Sequence, residues 1–116
     1  MAFRIRRPDD TTYWAGGGQR TSDGRFRRFG PDELRFEPLR RWTSPASRAT
    51  YPIEWRVSTP AGTQRVRALL HDQELDSRAS TGAIYWEGLS ELLAEDGRRL
   101  GLGYLEMTGY ATPLRL

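Results

Sequence analysis

Two stretches near the end of this 116-residue chain place a glutamate two positions after a tyrosine, Tyr85-Trp86-Glu87 and Tyr104-Leu105-Glu106. Between them lies Asp96-Gly97, a strong two-residue hairpin signal, because a type I′ turn needs positive φ at both central positions. A loop of two or four residues centred there pairs positions whose numbers sum to 193, setting Glu87 opposite Glu106, Leu89 opposite Tyr104, Tyr85 opposite Thr108 and Ala83 opposite Tyr110. The expected product is one polar cluster on an inward-looking wall. Two carboxylates directly across a strand pair repel. They can take up an arginine between them, sit in water, or share a proton so that one carboxyl can donate near neutral pH. In the last case Glu87 and Glu106 are the catalytic candidates, and Tyr85, Tyr104 and Tyr110 orient them through hydroxyl hydrogen bonds.

Other chemistry-bearing residues fall in loops. Trp42 and Tyr51 flank the Ser44-Pro45 loop and are candidate ligand contacts, whereas Trp55 and Trp86 read as core, the commoner fate of large aromatics. Asp72-Gln73-Glu74 follows a strand and opens a long loop, which puts Gln73 and Glu74 at a barrel rim. The candidate ligand-binding set is therefore Trp42, Tyr51, Gln73, Glu74, Tyr85, Tyr104, Thr108 and Tyr110. No metal or cofactor is expected. Cysteine is absent and His71 is the one histidine, too few for a protein-only zinc site. Gly16-Gly17-Gly18 lacks the lysine and helix of a phosphate loop, and no serine sits in a Gly-x-Ser-x-Gly elbow.

The elements that must position these residues are strands. Turn signals recur at short spacing, the pattern of an all-β sandwich or barrel. Ala2 to Arg7 alternates Phe3 and Ile5 with Arg4 and Arg6, a strand with one wet face. Thr11 to Ala15 is a second, ending at the three glycines, which weaken a strand interior. Further strands are expected over Arg25 to Phe29, Glu33 to Trp42 with Pro38 interrupting, Tyr51 to Ser58, Gln64 to His71, Ala83 to Leu93 and Leu100 to Ala111, about eight in all. The turn Thr59-Pro60-Ala61-Gly62 implies pairs summing to 121, so that Tyr51 meets Leu70, Ile53 meets Ala68, Trp55 meets Val66 and Val57 meets Gln64, with Glu54 across from Arg67 on the other face. Such agreement of pattern and turn specifies register, since a slip by one flips every side chain.

All 18 basic residues are arginine; residues 1 to 58 carry 12 of them against 7 acids. The acids interleave, so a solvated surface is expected and nucleic acid is not. No apolar run approaches the ~20 residues of a membrane span.

Five stretches, Trp42-Thr43-Ser44-Pro45, Tyr51-Pro52-Ile53-Glu54-Trp55, Asp72-Gln73-Glu74-Leu75, Tyr85-Trp86-Glu87-Gly88 and Gly103 to Tyr110, together resemble the C-terminal part of the AttH and hydroxyneurosporene synthase (carotenoid 1,2-hydratase) family. The resemblance implies a tandem of two lipocalin-like, calycin-type barrels. Residues 1–116 would then be one lipocalin-like barrel domain, the C-terminal part of a longer protein with an N-terminal sister domain as its partner. It also implies export or a periplasmic location, association with a transporter, and an activity loosely labelled secreted hydrolase or hydratase. No family role is transferred to any residue; the roles of Glu87 and Glu106 rest on the hairpin register alone. The expected function is binding of an apolar or amphipathic small molecule. The alternatives are a hydratase- or hydrolase-type enzyme acting through Glu87 and Glu106, and a structural module that holds a transporter or the sister domain.

Overall fold

The computed structural model describes residues 1–113. Among these residues nine strands run in chain order: β1 (Ala2–Arg6), β2 (Thr12–Arg20), β3 (Phe26–Phe29), β4 (Arg35–Thr43), β5 (Thr50–Thr59), β6 (Gly62–Ala68), β7 (Glu74–Ser77), β8 (Ala83–Leu93) and β9 (Arg99–Met107), with one 3-10 turn at Pro31–Glu33. All pairing is antiparallel. β1, β2 and β3 form one sheet, and β4, β5, β6, β8 and β9 form the other, with β7 beside the first half of β8 and β6 beside its second half. The expected all-β class holds. Closure into a barrel is not detected: among the described residues no ladder joins the two sheets. The reason is local. β3 is four residues long, and Gly30-Pro31-Asp32 turns the chain out of its ladder before β4 begins, with a proline that lacks the N–H a ladder needs. The radius of gyration, 14.8 Å, exceeds the about 13.4 Å of a compact chain this long.

Both hairpin registers are as expected where strands pair. Glu54 lies opposite Arg67, Trp55 opposite Val66 and Val57 opposite Gln64. That ladder stops at the Glu54–Arg67 pair, so the Ile53–Ala68 and Tyr51–Leu70 pairs do not form, while Ala68 still pairs with Ser90 of β8. Glu87 lies opposite Glu106 and Leu89 opposite Tyr104. The turn differs from a two-residue type I′ loop. Ala94 N–H bonds to Arg98 O, Gly97 N–H bonds to Ala94 O, and only Gly97 has positive φ, at 90°. This three-residue loop alone would shift the register by one, and a bulge between Leu92 and Leu93 restores it. β9 ends at Met107 and Gly109 turns the chain at φ 78°, so Thr108 and Tyr110 do not pair with Tyr85 and Ala83.

Alternation sorts the larger sheet into two faces. Tyr51, Ile53, Trp55, Ala68, Trp86 and Met107 share the buried face and form the main core. The opposite face carries ion pairs: Arg65 with Glu54 at 3.0 Å, and Arg67 and Arg99 on Glu91 at 2.6 and 2.9 Å. Hydrogen bonds from these two arginines, Arg67 foremost, hold the Glu91 carboxyl below the usual carboxylate range. Pro38 lies on edge strand β4 at a register shift, where no partner needs its missing N–H.

The smaller sheet departs from expectation twice. β2 runs through Gly16-Gly17-Gly18. Here glycine is needed for space: a Cβ on Gly16 would lie 2.6 Å from the Trp14 ring, one on Gly17 would lie 2.5 Å from Met1 O, and one on Gly18 would strike the Phe26 ring. Gly17→Ala is expected to lower stability by about 1–2 kcal/mol, an overpacking cost moderated because the obstruction is at the end of the β1–β2 ladder, which can open. Urea denaturation measures it; an unchanged midpoint would show that β1 does not pack there. The second departure is in β1, where the arginines face in and the apolar residues face out. Phe3 and Ile5 are 41% and 42% exposed, while the Arg4 and Arg6 side chains are only 13% and 21% exposed.

Candidate functional site

The five stretches of the sequence resemblance meet in one corner. At the β4–β5 bend, the Ser44 side chain accepts from the N–H groups of Ala46 and Ser47, both at 3.2 Å, which shapes the loop. The Glu74 carboxylate, entering at the start of β7, accepts hydrogen bonds from Ser44 Oγ at 2.7 Å, Ser47 Oγ at 2.5 Å and the Tyr51 hydroxyl at 2.7 Å. Ser44 and Tyr51 are fully buried. Burial pushes the Glu74 carboxyl up, and the hydrogen bonds from Ser47, Tyr51 and Ser44 outweigh it, so its pKa ends below the ordinary glutamate value. Burial, then the hydrogen bond to Glu74 and the charge on it, push the Tyr51 hydroxyl far up, so it stays protonated and donating. The Tyr51 ring stacks on Trp42 at 6.3 Å and tilts against Tyr110 at 5.6 Å.

Gln73 closes a gap in the sheet. Opposite Glu87, Gly88 and Leu89, neither β6 nor β7 supplies a strand partner. Gln73 O accepts from Glu87 N–H at 3.2 Å. Its side-chain Oε1 accepts from Leu89 N–H at 3.1 Å, and Nε2 donates to Leu70 O at 2.8 Å. The amide thus acts as a peptide unit, lying flat over Gly88 where any Cβ would collide with it. Beside it the Trp86 indole donates to His71 O at 2.7 Å. The side chains of Gln73 and Glu74 are therefore occupied within the protein, where a rim role in ligand contact was expected.

The other predicted residues lie on or next to β8 and β9, and Tyr104, Glu106 and Thr108 also border an inter-sheet cleft along the β9 edge. Glu87 and Glu106 are cross-strand partners, but alternation puts them on the face opposite buried Trp86 and Met107, so the inward-looking wall is corrected. Tyr104 is 65% exposed there and Thr108 is exposed beside it. Desolvation, followed by the Glu87 and Glu106 charges, raises the Tyr104 hydroxyl. Tyr85 is half-buried and accepts from Ser77 Oγ at 3.4 Å. Among the described residues no ion pair involves Glu87 or Glu106, and no group of three or more metal-ligating side chains converges.

An open cleft of about 1120 Å³ lies between the sheets, walled by β1 on one side and by Phe36, Trp55, Val57, Val66, Leu105 and Met107 on the other. Arg4 lies 5.2 Å from the centre of the Trp55 ring and Arg6 lies 3.6 Å from that of Tyr110. Tyr110 thus joins the carboxylate hub to the cleft. Among the described residues the buried Trp55 Nε1–H has no acceptor. Sequence reasoning missed Ser44, Ser47, Arg4 and Arg6. The serines had a signal, since Ser44-Pro45 precedes a strand; the arginines had none, because alternation is silent on which face turns inward.

Comparison with known proteins agrees with this architecture. The chain superposes on the crystal structure of a candidate AttH from Nitrosomonas europaea with a TM-score of 0.87 and 46% identity, covering 94% of this chain and 34% of that one. It also superposes on kievitone hydratase from Nectria haematococca with a TM-score of 0.67 and 22% identity over 96% of this chain and 34% of that one, a likeness of fold. The chain thus spans about a third of the length of these two proteins. No curated protein matches it. With the AttH-like family model matching residues 1–110, the chain belongs to the AttH-like family.

Proposed function

We propose that this chain is a lipocalin-like domain whose inter-sheet cleft binds an apolar or amphipathic small molecule. The observation that carries the reading is the cleft itself, about 1120 Å³ with an apolar wall and a few polar groups at one side, the usual composition of a small-molecule site. In this reading the two sheets are the walls of a calycin-type barrel. The hub of Glu74, Ser44, Ser47 and Tyr51 is the rigid floor that holds Tyr110 in place. The outward-facing Phe3, Ile5, Trp14 and Phe26, all more than 40% exposed, form the surface for the sister domain that the resemblance implies, and the activity of the longer protein belongs to the two together.

A neutral apolar dye such as Nile red is expected to bind, with shifts in the Trp55 indole and Met107 methyl resonances. Val57→Trp, which fills the cleft, is expected to weaken binding by about tenfold or more, the scale of one well-buried side chain's contact. Glu87→Gln is expected to leave it unchanged, because its carboxyl sits on the other face of β8, away from the cleft lining. Binding that survives Val57→Trp would place the ligand elsewhere.

A further inference from the structure

We propose that the cleft selects a carboxylate-headed amphiphile, with the head group held between Arg4 and Arg6 in the place now taken by the Asp10 carboxylate. The inference rests on the cleft being a binding site. β1 turns both arginines inward, which places two cations, each about four-fifths buried or more, along one side of an otherwise apolar cleft. Each guanidinium has five N–H donors. Among the described residues Arg4 donates one hydrogen bond, to Asp10 Oδ1 at 3.2 Å, and Arg6 one, to Gly109 O at 3.0 Å. Asp10 Oδ1 also lies 3.5 Å from Arg6, so a single carboxylate oxygen already bridges the pair. Most of the donors are thus unspent on protein partners, on guanidinium groups that are themselves mostly buried although the Asp10 carboxylate is 54% exposed, and a second charge-assisted bond to them is strong.

Asp10 is an intramolecular stand-in. It sits in an exposed turn closed by its N–H on Arg7 O at 2.9 Å, with φ at 68°, a conformation aspartate tolerates at modest cost. The carboxylate can swing into solvent when a ligand's head group replaces it. The tail would then run along Val57, Leu105 and Met107, and the unpaired Trp55 Nε1–H, beside Arg4, offers a further donor.

The test uses three ten-carbon probes below their micellar concentrations, decanoate, decanol and decyltrimethylammonium, titrated calorimetrically into the full 116-residue chain at low salt. Decanoate is expected to bind about tenfold tighter than decanol, and the ammonium weakest, with salt reducing only the decanoate affinity. Asp10→Asn, which removes the competing charge, is expected to raise decanoate affinity about threefold and leave decanol unchanged. The double variant Arg4→Gln and Arg6→Gln is expected to bring decanoate to the level of decanol, and its retained decanol binding shows that it is folded. Equal binding of acid and alcohol by the native chain, or an Asp10→Asn variant no better than native for decanoate, would overturn the head-group assignment and leave the cleft reading standing. Failure of all three probes to bind would overturn both.

Discussion

Glu74→Ala is expected to lower stability by about 3–5 kcal/mol, because it strands buried hydroxyl donors that cost about 1–3 kcal/mol each when unsatisfied, less whatever water entering the vacated space restores. Ser44 and Tyr51 are fully buried and both donate to this carboxylate, as does Ser47. The same bonds are the tie between β7 and the β4–β5 bend, which are some thirty positions apart in the chain. A domain whose total stability is near about 5 kcal/mol, the low end of the usual range, would be close to unfolding at ambient temperature. Glu74→Gln keeps the shape and one acceptor oxygen but turns an amide donor toward the hydroxyls, so it should cost less. The charge adds a pH dependence of known sign. Since the folded-state pKa is depressed, the stabilisation is present above the unfolded glutamate value of about 4.3 and is lost as pH falls through the lower folded-state value. Urea midpoints between pH 3 and 7 are the measurement. Glu74→Gln should flatten part of the acid slope, and a Glu74→Ala variant within 1 kcal/mol of native would remove the hub as the tie that holds this corner.

Gly88→Ala is the second large effect, about 3 kcal/mol, near the upper end of overpacking costs. Gly88 sits mid-strand in β8 between Gln73 on one side and β9 on the other, so the backbone has no room to retreat. The new methyl must displace the Gln73 amide and with it the hydrogen bonds to Leu89 N–H and Leu70 O. Gln73→Ala should cost about 1–2 kcal/mol, since Leu89 is half exposed and water can take up its N–H. The informative quantity is the double variant. With the glutamine trimmed, the methyl at position 88 fits, so the two costs should fall short of adding by about 2 kcal/mol. Additive costs would show that the amide does not lie over Gly88. Together the two predictions explain why Asp72-Gln73-Glu74, Tyr85-Trp86-Glu87-Gly88 and Trp42-Thr43-Ser44-Pro45 occur in one chain: they are the parts of a single hydrogen-bonded corner.

The ligand-binding set expected from the sequence divides along these lines. Trp42, Tyr51, Glu74 and Tyr110 are brought together, Tyr51 at their centre, with Gln73 next to Glu74. Tyr85 falls with Glu87 on the far side of the sheet, while Tyr104, Glu106 and Thr108 lie along and just beyond edge strand β9, where they border the cleft. Thr108 and Tyr110 are separated because Gly109 turns the chain, an event that a continued strand pattern over Leu100 to Ala111 conceals.

What the chain determines by itself is local. Turn residues together with a two-residue alternation were enough to set both hairpin registers, Trp55 on Val66 and Glu87 on Glu106, and to mark Trp55 and Trp86 as core. Even the unexpected three-residue loop at Asp96-Gly97 left that register intact through a compensating bulge. Only tertiary structure decided which face of a strand is inward, because alternation is symmetric under exchange of faces. For β1 the choice went against hydropathy: Arg4 and Arg6 turned in over Trp55 and Tyr110, and Phe3 and Ile5 turned out. It also decided the hub, whose partners are separated by 23 to 30 positions. Such contacts depend on where the sheets bend, and no short window of sequence carries that information.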